Sequence, residues 1–131
     1  PAEPLPFPVE ATPTGWVLDP VPLLVALGEG VQAGRDVADL AARFHESVAA
    51  ASSELARMAA ERDGIRVVAL GGGCFQNVRL LAAVVRRLTG MGLEVLTAER
   101  FSPNDGALSY GQAAVGAAIL SRGAPGGARV H

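Results

Sequence analysis

Three consecutive glycines, Gly71-Gly72-Gly73, separate four apolar residues, Val67 to Leu70, from Asn77, where a helical pattern begins. Glycine has no Cβ, so the chain can turn sharply there, take positive φ and let a ligand come close. A strand that runs into glycines and leaves as a helix brings bare backbone N–H groups up to a phosphate or a ribose. Asn77 falls where an N-cap belongs, its side-chain oxygen available to the first-turn N–H groups. The spacing is not the G-x-G-x-x-G of a dinucleotide turn, and no Gly-Lys-Ser/Thr follows as in a Walker A loop. A tight strand-to-helix turn with no ligand is the competing reading.

Asp105 lies in Pro103-Asn104-Asp105-Gly106, just before another helical stretch. It is either a helix cap or a hard oxygen ligand for a divalent cation beside phosphates, and the two roles are compatible. His45 follows Phe44 on a long helical pattern, about 100° round from the apolar stripe. It is a packed or solvated side chain or, if it lines a crevice, a hydrogen-bond partner for a substrate carboxyl or carbonyl. Cys74 reads as a small apolar filler, with no second cysteine and no nearby histidine in sequence to act as its base. Glu94 and Glu99 read as solvated strand-end charges.

The elements that must position these residues follow from periodicity and punctuation. Residues 1–15 carry five prolines, which exclude a helix and leave extended structure, with Val9-Glu10-Ala11 and Trp16-Val17-Leu18 as short edge strands. Trp16 is expected to be a packing anchor. A short helix is predicted over Val21 to Gln32, with Asp19 as N-cap and Pro20 at N1. From Asp36 a long helix runs to Asp63-Gly64, its inward stripe Val37, Leu40, Ala41, Phe44, Val48, Ala51, Leu55, Met58 and Ala59. Arg43, Glu46, Glu54, Arg57, Glu61 and Arg62 occupy its other face.

Val67 to Leu70 is a short buried strand. A second amphipathic helix spans Asn77 to Thr89, with Val78, Leu81, Ala82, Val85 and Leu88 inward. Leu93 to Leu96 is another strand, which Glu99-Arg100-Phe101 extends or flanks. A small-residue helix from Ala107 to about Ser121 is suited to close packing against another backbone. This order is α/β, with parallel strands joined by a right-handed crossover. Ligands of such sheets sit beyond the C-terminal strand ends, so the turn at Gly71–Asn77 and the loop at Ser102–Gly106 are expected to face one crevice.

Composition narrows the function classes. The 131 residues are 50% hydrophobic with a net charge of −2, so no basic face for nucleic acid or anionic membrane is indicated. All eleven cationic side chains are arginine, so no lysine is available as a Schiff-base nucleophile or phosphate ligand. One cysteine excludes an internal disulfide. No apolar run approaches the roughly 20 residues that span a bilayer, and no signal peptide is evident. A cytoplasmic setting is expected.

Taken together, Gly71-Gly72-Gly73-Cys74-Phe75-Gln76-Asn77, Pro103-Asn104-Asp105-Gly106, Tyr110-Gly111-Gln112-Ala113 and Ala42-Arg43-Phe44-His45 resemble the C-terminal end of the HypF family of hydrogenase-maturation carbamoyltransferases. The likeness runs from about Ala41 to Ala118. It implies one lobe of the actin-like ATPase (ribonuclease H-like, ASKHA) superfold in its Kae1-like form, over residues 36–122. Residues 1–35 would be a Pro-rich lead-in with a short helix, and 123–131 a flexible tail. The family uses carbamoyl phosphate and ATP to form carbamoyl adenylate, then carbamoylates the C-terminal cysteine of its partner HypE.

The resemblance implies that Gly71, Gly72, Gly73, Gln76 and Asn77 contact nucleotide, that Asp105 binds a divalent metal (Mg, Fe or Zn), and that His45 has a catalytic part. Related enzymes of the superfold, the threonylcarbamoyl-transfer proteins, O-carbamoyltransferases and sugar kinases, are alternatives, as is a non-catalytic binding lobe. Two features depart from the family: no His-x-x-x-His is present, and Gly71 stands where serine is frequent. The chain is therefore expected to need the remainder of the Kae1-like domain, or a second copy, and to be inactive alone.

Overall fold

The computed structural model describes residues 2–98 and 105–123. Strands β1 (Val9–Thr12) and β2 (Gly15–Leu18) form an antiparallel hairpin, Val9 opposite Leu18. Helices α1 (Val21–Gln32) and α2 (Val37–Asp63) follow, then β3 (Val67–Leu70), α3 (Val78–Gly90) and β4 (Glu94–Thr97). Helix α4 (Leu108–Gly123) comes last. One-turn 3₁₀ helices, Gly73–Gln76 and Asp105–Ala107, precede α3 and α4. The α/β order inferred from the sequence holds: β3 and β4 pair in parallel, Val67 beside Glu94 and Leu70 beside Thr97, with α3 as the crossover.

Helix α2 is 27 residues long, about 40 Å at the usual rise. Asp36 caps it, accepting from the Asp39 N–H at 3.1 Å, and Gly64 ends it with φ 67°, a left-handed value that favours glycine. Helix α1 spans the predicted residues, and only its cap differs from expectation. Pro20 is its N-cap, and the Asp19 carboxylate accepts from Val21 N–H at 2.9 Å. Its Gly30 is buried against α2, where an added Cβ would fall 2.6 Å from Leu40 Cδ2.

The core sits between α2, α3 and one face of the parallel pair. Ala49, Ala83, Val84 and Leu88 are its buried centre, with Val68, Leu70, Phe75, Leu80, Leu93 and Val95 around them. Side chains alternate along a strand, so Val67, Ala69 and Leu96 point the other way and are exposed. The expectation of a fully buried β3 is thus corrected to a half-buried strand, because no described layer covers its second face.

Two helical faces also differ from expectation. On α2 the polar residue Glu46 is buried, while Val37 and Phe44 of the predicted stripe are exposed. The helix touches α1, α3 and the hairpin, so it buries more than one stripe, using Ser47, Ala49, Ala51 and Ser53 where neighbours come close. On α3 the buried residues are Ala83, Val84 and Leu88, while Val78 and Ala82 are exposed. That helix is apolar on two sides, and its rotation is fixed by the cations Arg86 and Arg87 reaching Glu46.

Trp16 is half-buried under the Arg62 guanidinium, 5.2 Å from the ring centroid, which ties the hairpin to the end of α2. The small-residue helix α4 exposes Leu108, Tyr110, Val115, Ile119 and Leu120. The close backbone packing predicted for it is not met at Gly111 or Gly116, where an added Cβ would have nothing within 4 Å. The residues Glu99, Arg100, Phe101, Ser102, Pro103, Asn104 and the tail 124–131 lie outside the described residues.

Candidate nucleotide site at the glycine turn

Beyond Leu70 the backbone turns at Gly72, whose φ of 104° and ψ of 158° lie in a region open to glycine alone. The following 3₁₀ turn closes with Phe75 N–H donating to Gly72 O at 3.1 Å and Asn77 N–H donating to Cys74 O at 3.2 Å. Helix α3 then starts where the sequence suggested, at Val78 with Asn77 as its cap, and the 3₁₀ turn fills the span between the glycines and the cap. Phe75 packs against the core and pins the turn to it, a role its sequence position did not reveal. Gly71, Gly72 and Gly73 are all exposed, and a Cβ on any of them would meet nothing within 4 Å.

Asn77 is the N-cap of α3. Its Oδ1 accepts from Arg79 N–H and Leu80 N–H, both at 3.1 Å. These satisfy two of the orphan donors that every helix start carries. Its Nδ2 lies 2.8 Å from His45 Nε2, across thirty-two residues of sequence. The other ring nitrogen, Nδ1, is 2.7 Å from Ala41 O. A carbonyl only accepts, so Nδ1 carries the proton and Nε2 is left as the acceptor from Asn77. The ring stands edge-on to Phe44, centroids 5.7 Å apart at 83°.

These residues line a hollow of about 350 Å³ bounded by Phe44, His45, Val48, Gly73, Cys74, Asn77 and Leu80. His45 and Asn77 are thus brought together beside the glycines. Cys74 is exposed on this wall, which corrects its reading as a buried filler. The short 3₁₀ turn presents its side chain outward while Phe75 takes the inward place. Gln76 is exposed on the same turn.

Asp105 opens the second 3₁₀ turn and is exposed. Because Leu70 and Thr97 are register partners, the glycine turn and the segment leading to Asp105 leave the same end of the sheet. Ser102, Pro103 and Asn104 of that loop are outside the described residues. Among the described residues no three His, Cys, Asp or Glu side chains converge as a metal site. No described helix is long and apolar enough to cross a membrane.

Between the same two helices, Glu46 on α2 accepts from Arg86 Nη2 at 3.1 Å and Arg87 Nη2 at 3.0 Å on α3. Burial pushes its carboxyl upward, but the hydrogen bonds and charges of Arg87 and Arg86 outweigh it, and the net shift is downward. The adjacent cations Arg86-Arg87, on a helix otherwise apolar around them, were the sequence signal for this triad.

Comparison with known proteins agrees with this architecture. Residues 1–112 match the family described as carbamoyltransferase, Kae1-like domain, second subdomain. The carbamoyltransferase HypF2 of Cupriavidus necator is 40% identical over 108 residues, 78% of this chain and 13% of its own length. HypF of Rhodobacter capsulatus is 41% identical over 106 residues, 81% of this chain and 14% of its own. The chain thus spans about a seventh of these relatives. A crystal structure of full-length HypF in the phosphate- and nucleotide-bound form superposes with TM-score 0.85 at 31% identity, covering 92% of this chain and 16% of that one. An α/β lobe that ends its parallel strands at a glycine turn, with this match along most of its length, belongs to the HypF carbamoyltransferase family, as the second subdomain of its Kae1-like domain.

Proposed function

We propose that this chain is the nucleotide-facing lobe of an enzyme that makes carbamoyl adenylate from carbamoyl phosphate and ATP. The carbamoyl group then passes to the C-terminal cysteine of HypE, in maturation of [NiFe]-hydrogenase. One observation carries the proposal: β3 delivers an exposed positive-φ glycine turn to the capped N-terminus of α3, at the sheet end from which the Asp105 segment also departs. The backbone N–H groups of Gly71, Gly72 and Gly73 would meet phosphate oxygens, helped by the positive end of the helix dipole. Gln76 and Asn77 would contact the rest of the nucleotide. The phosphate- and nucleotide-bound state named for the solved relative supports this use of the lobe.

Asp105 offers one hard oxygen donor and not a complete metal site among the described residues. A divalent cation there would take its other donors from phosphates and from the rest of the Kae1-like domain or a second copy. Such an ion would neutralise phosphate charge. A cytoplasmic setting accords with HypE as the partner.

The test is carbamoyl-phosphate-dependent exchange of pyrophosphate into ATP by the protein at its full natural length. Asp105→Ala and Asn77→Ala are expected to lose most of the exchange while remaining folded by circular dichroism. Exchange at the unmodified rate in both would overturn the assignment.

A further inference from the structure

His45 has no ring nitrogen to spare for a substrate. Nδ1–H donates to Ala41 O, and the Nε2 lone pair accepts from Asn77 Nδ2. Asn77 in turn has its Oδ1 committed to the start of α3 and one Nδ2–H committed to His45. Its amide is therefore fixed at both ends. Turning it over would set Nδ2 against two N–H donors and remove the hydrogen from Nε2, so both ends select the same orientation. The one remaining Nδ2–H belongs to an exposed residue on the wall of the hollow beside Gly73.

We propose that His45 is a positioning residue for nucleotide. By holding its lone pair against Asn77, it aims the second amide hydrogen of Asn77 at an acceptor oxygen of the nucleotide bound over the glycine turn. This rests on the nucleotide assignment made above. It gives His45 an orienting part in place of a direct hydrogen bond to substrate, since such a bond would need a ring nitrogen not already engaged. The device also joins α2 to the turn, so the cap and the hollow wall move as one piece.

The proposal has a signature independent of nucleotide. In water the neutral imidazole of histidine favours the Nε2–H form; here the ring must be Nδ1–H. Long-range proton–nitrogen NMR of the 131-residue chain, labelled at its two histidines, reads this directly. A Nδ1–H ring at His45 is expected, kept in Asn77→Ala by Ala41 O, with the Nε2 resonance moving in that variant toward that of a lone pair with no protein donor. A Nε2–H ring in the unmodified chain overturns the proposal, whatever the nucleotide result.

The second arm titrates the magnesium complex of a non-hydrolysable ATP analogue into the protein at full natural length. His45→Leu removes the acceptor, whereas His45→Gln places an amide oxygen near the position of Nε2. Loss of one hydrogen bond should weaken binding about tenfold in His45→Leu. His45→Gln should recover most of it at an unchanged melting temperature. Equal affinity in all three proteins overturns the proposal. So does an equal loss in both variants that tracks a fall in melting temperature, which marks a packing role alone. If the unmodified protein binds no analogue, the nucleotide assignment fails, and the response of the Nε2 resonance to Asn77→Ala decides whether His45 fixes Asn77; an unmoved resonance overturns it.

Discussion

Glu46 on α2 and Arg87 on α3 are forty-one residues apart, and their Oε2 and Nη2 atoms meet at 3.0 Å in the packed seam between the helices. Arg86 reaches the same carboxylate at 3.1 Å, so one nearly buried anion holds two cations. The cations are not equally placed. The Arg86 side chain is 51% exposed and that of Arg87 27%, against 5% for Glu46. The carboxylate is thus the partner that cannot recover its hydration, and it holds the α2–α3 orientation on which the His45–Asn77 bond depends.

Removing that carboxylate is expected to destabilise the fold. Glu46→Leu leaves both guanidinium groups without their acceptor, but each can still reach water. The cost should be about 1–3 kcal/mol, below the larger penalty for stranding a fully buried charge. Urea unfolding with an unchanged slope and an earlier midpoint would register it. A variant as stable as the parent would mean that the triad only decorates a seam held by Ala49, Ala83, Val84 and Leu88.

The same triad sets an acid limit. The Glu46 carboxyl is held below its ordinary value of 4.5, because the arginine hydrogen bonds and charges outweigh the opposing effect of burial. The unfolded chain then takes up the proton first as pH falls. The stabilisation is fully present above 4.5 and is lost as pH drops from there through the lower folded value. Glu54 and Asp63 are shifted the same way, by the hydrogen bonds of Arg57 and Arg62, but both pairs are solvated and contribute little. Glu46→Gln should therefore flatten the fall of melting temperature in this acid window. An undiminished fall would assign acid sensitivity to other carboxylates.

Ser47, beside Glu46, does a different task. It is almost wholly buried, accepts from Leu5 N–H and donates to Arg43 O, both at 2.7 Å. This fastens the Pro-rich lead-in to the middle of α2. Ser47→Ala strands the Leu5 N–H, at a cost of about 1 kcal/mol. Limited proteolysis should cut within residues 2–8 faster in the variant, with cleavage elsewhere unchanged. Equal rates would show that the lead-in is held instead by its bond to the end of the hairpin, where Asp19 N–H donates to Pro8 O at 3.0 Å.

The sequence made the strand-and-helix order legible because its punctuation is local. Asp36, Gly64 and Asn77 cap by their own chemistry, and α1 and α2 stand where proline, glycine and periodicity put their ends. The glycine turn and Asn77 were legible for the same reason. Which face of α2 or α3 turns inward was legible only in part: Leu40, Ala51 and Leu88 are buried as expected, whereas Val37, Phe44, Val78 and Ala82 are exposed. Both helices carry apolar or small residues on more than one side, so rotation is decided by long-range partners such as Glu46 with Arg86 and Arg87. The His45–Asn77 bond was invisible for a related cause: each residue has a complete local explanation, one as a helix-edge ring and the other as a cap. The exposed second face of β3 and β4 could not be anticipated from apolar runs that look alike whether covered or bare.

The three glycines separate a folding role from a ligand role. Gly72 alone of the three has positive φ, and its backbone region is reserved for glycine. Gly72→Ala should cost about 1–3 kcal/mol through backbone strain, since its Cβ would point into open space. Gly71 and Gly73 have neither positive φ nor a neighbour within 4 Å of an added Cβ. Alanine at either position should leave stability unchanged or raise it by up to about 1 kcal/mol, by restricting the unfolded chain. If backbone at those positions meets phosphate, the same substitutions must still weaken binding of a magnesium–ATP analogue, because the new methyl would occupy the ligand's path. Stability and affinity would then move in opposite directions at Gly71 and Gly73 and fall together at Gly72. Melting curves beside equilibrium binding for the three variants separate these patterns. Wild-type affinity in both Gly71→Ala and Gly73→Ala would leave the turn a tight corner, with the nucleotide to be sought elsewhere.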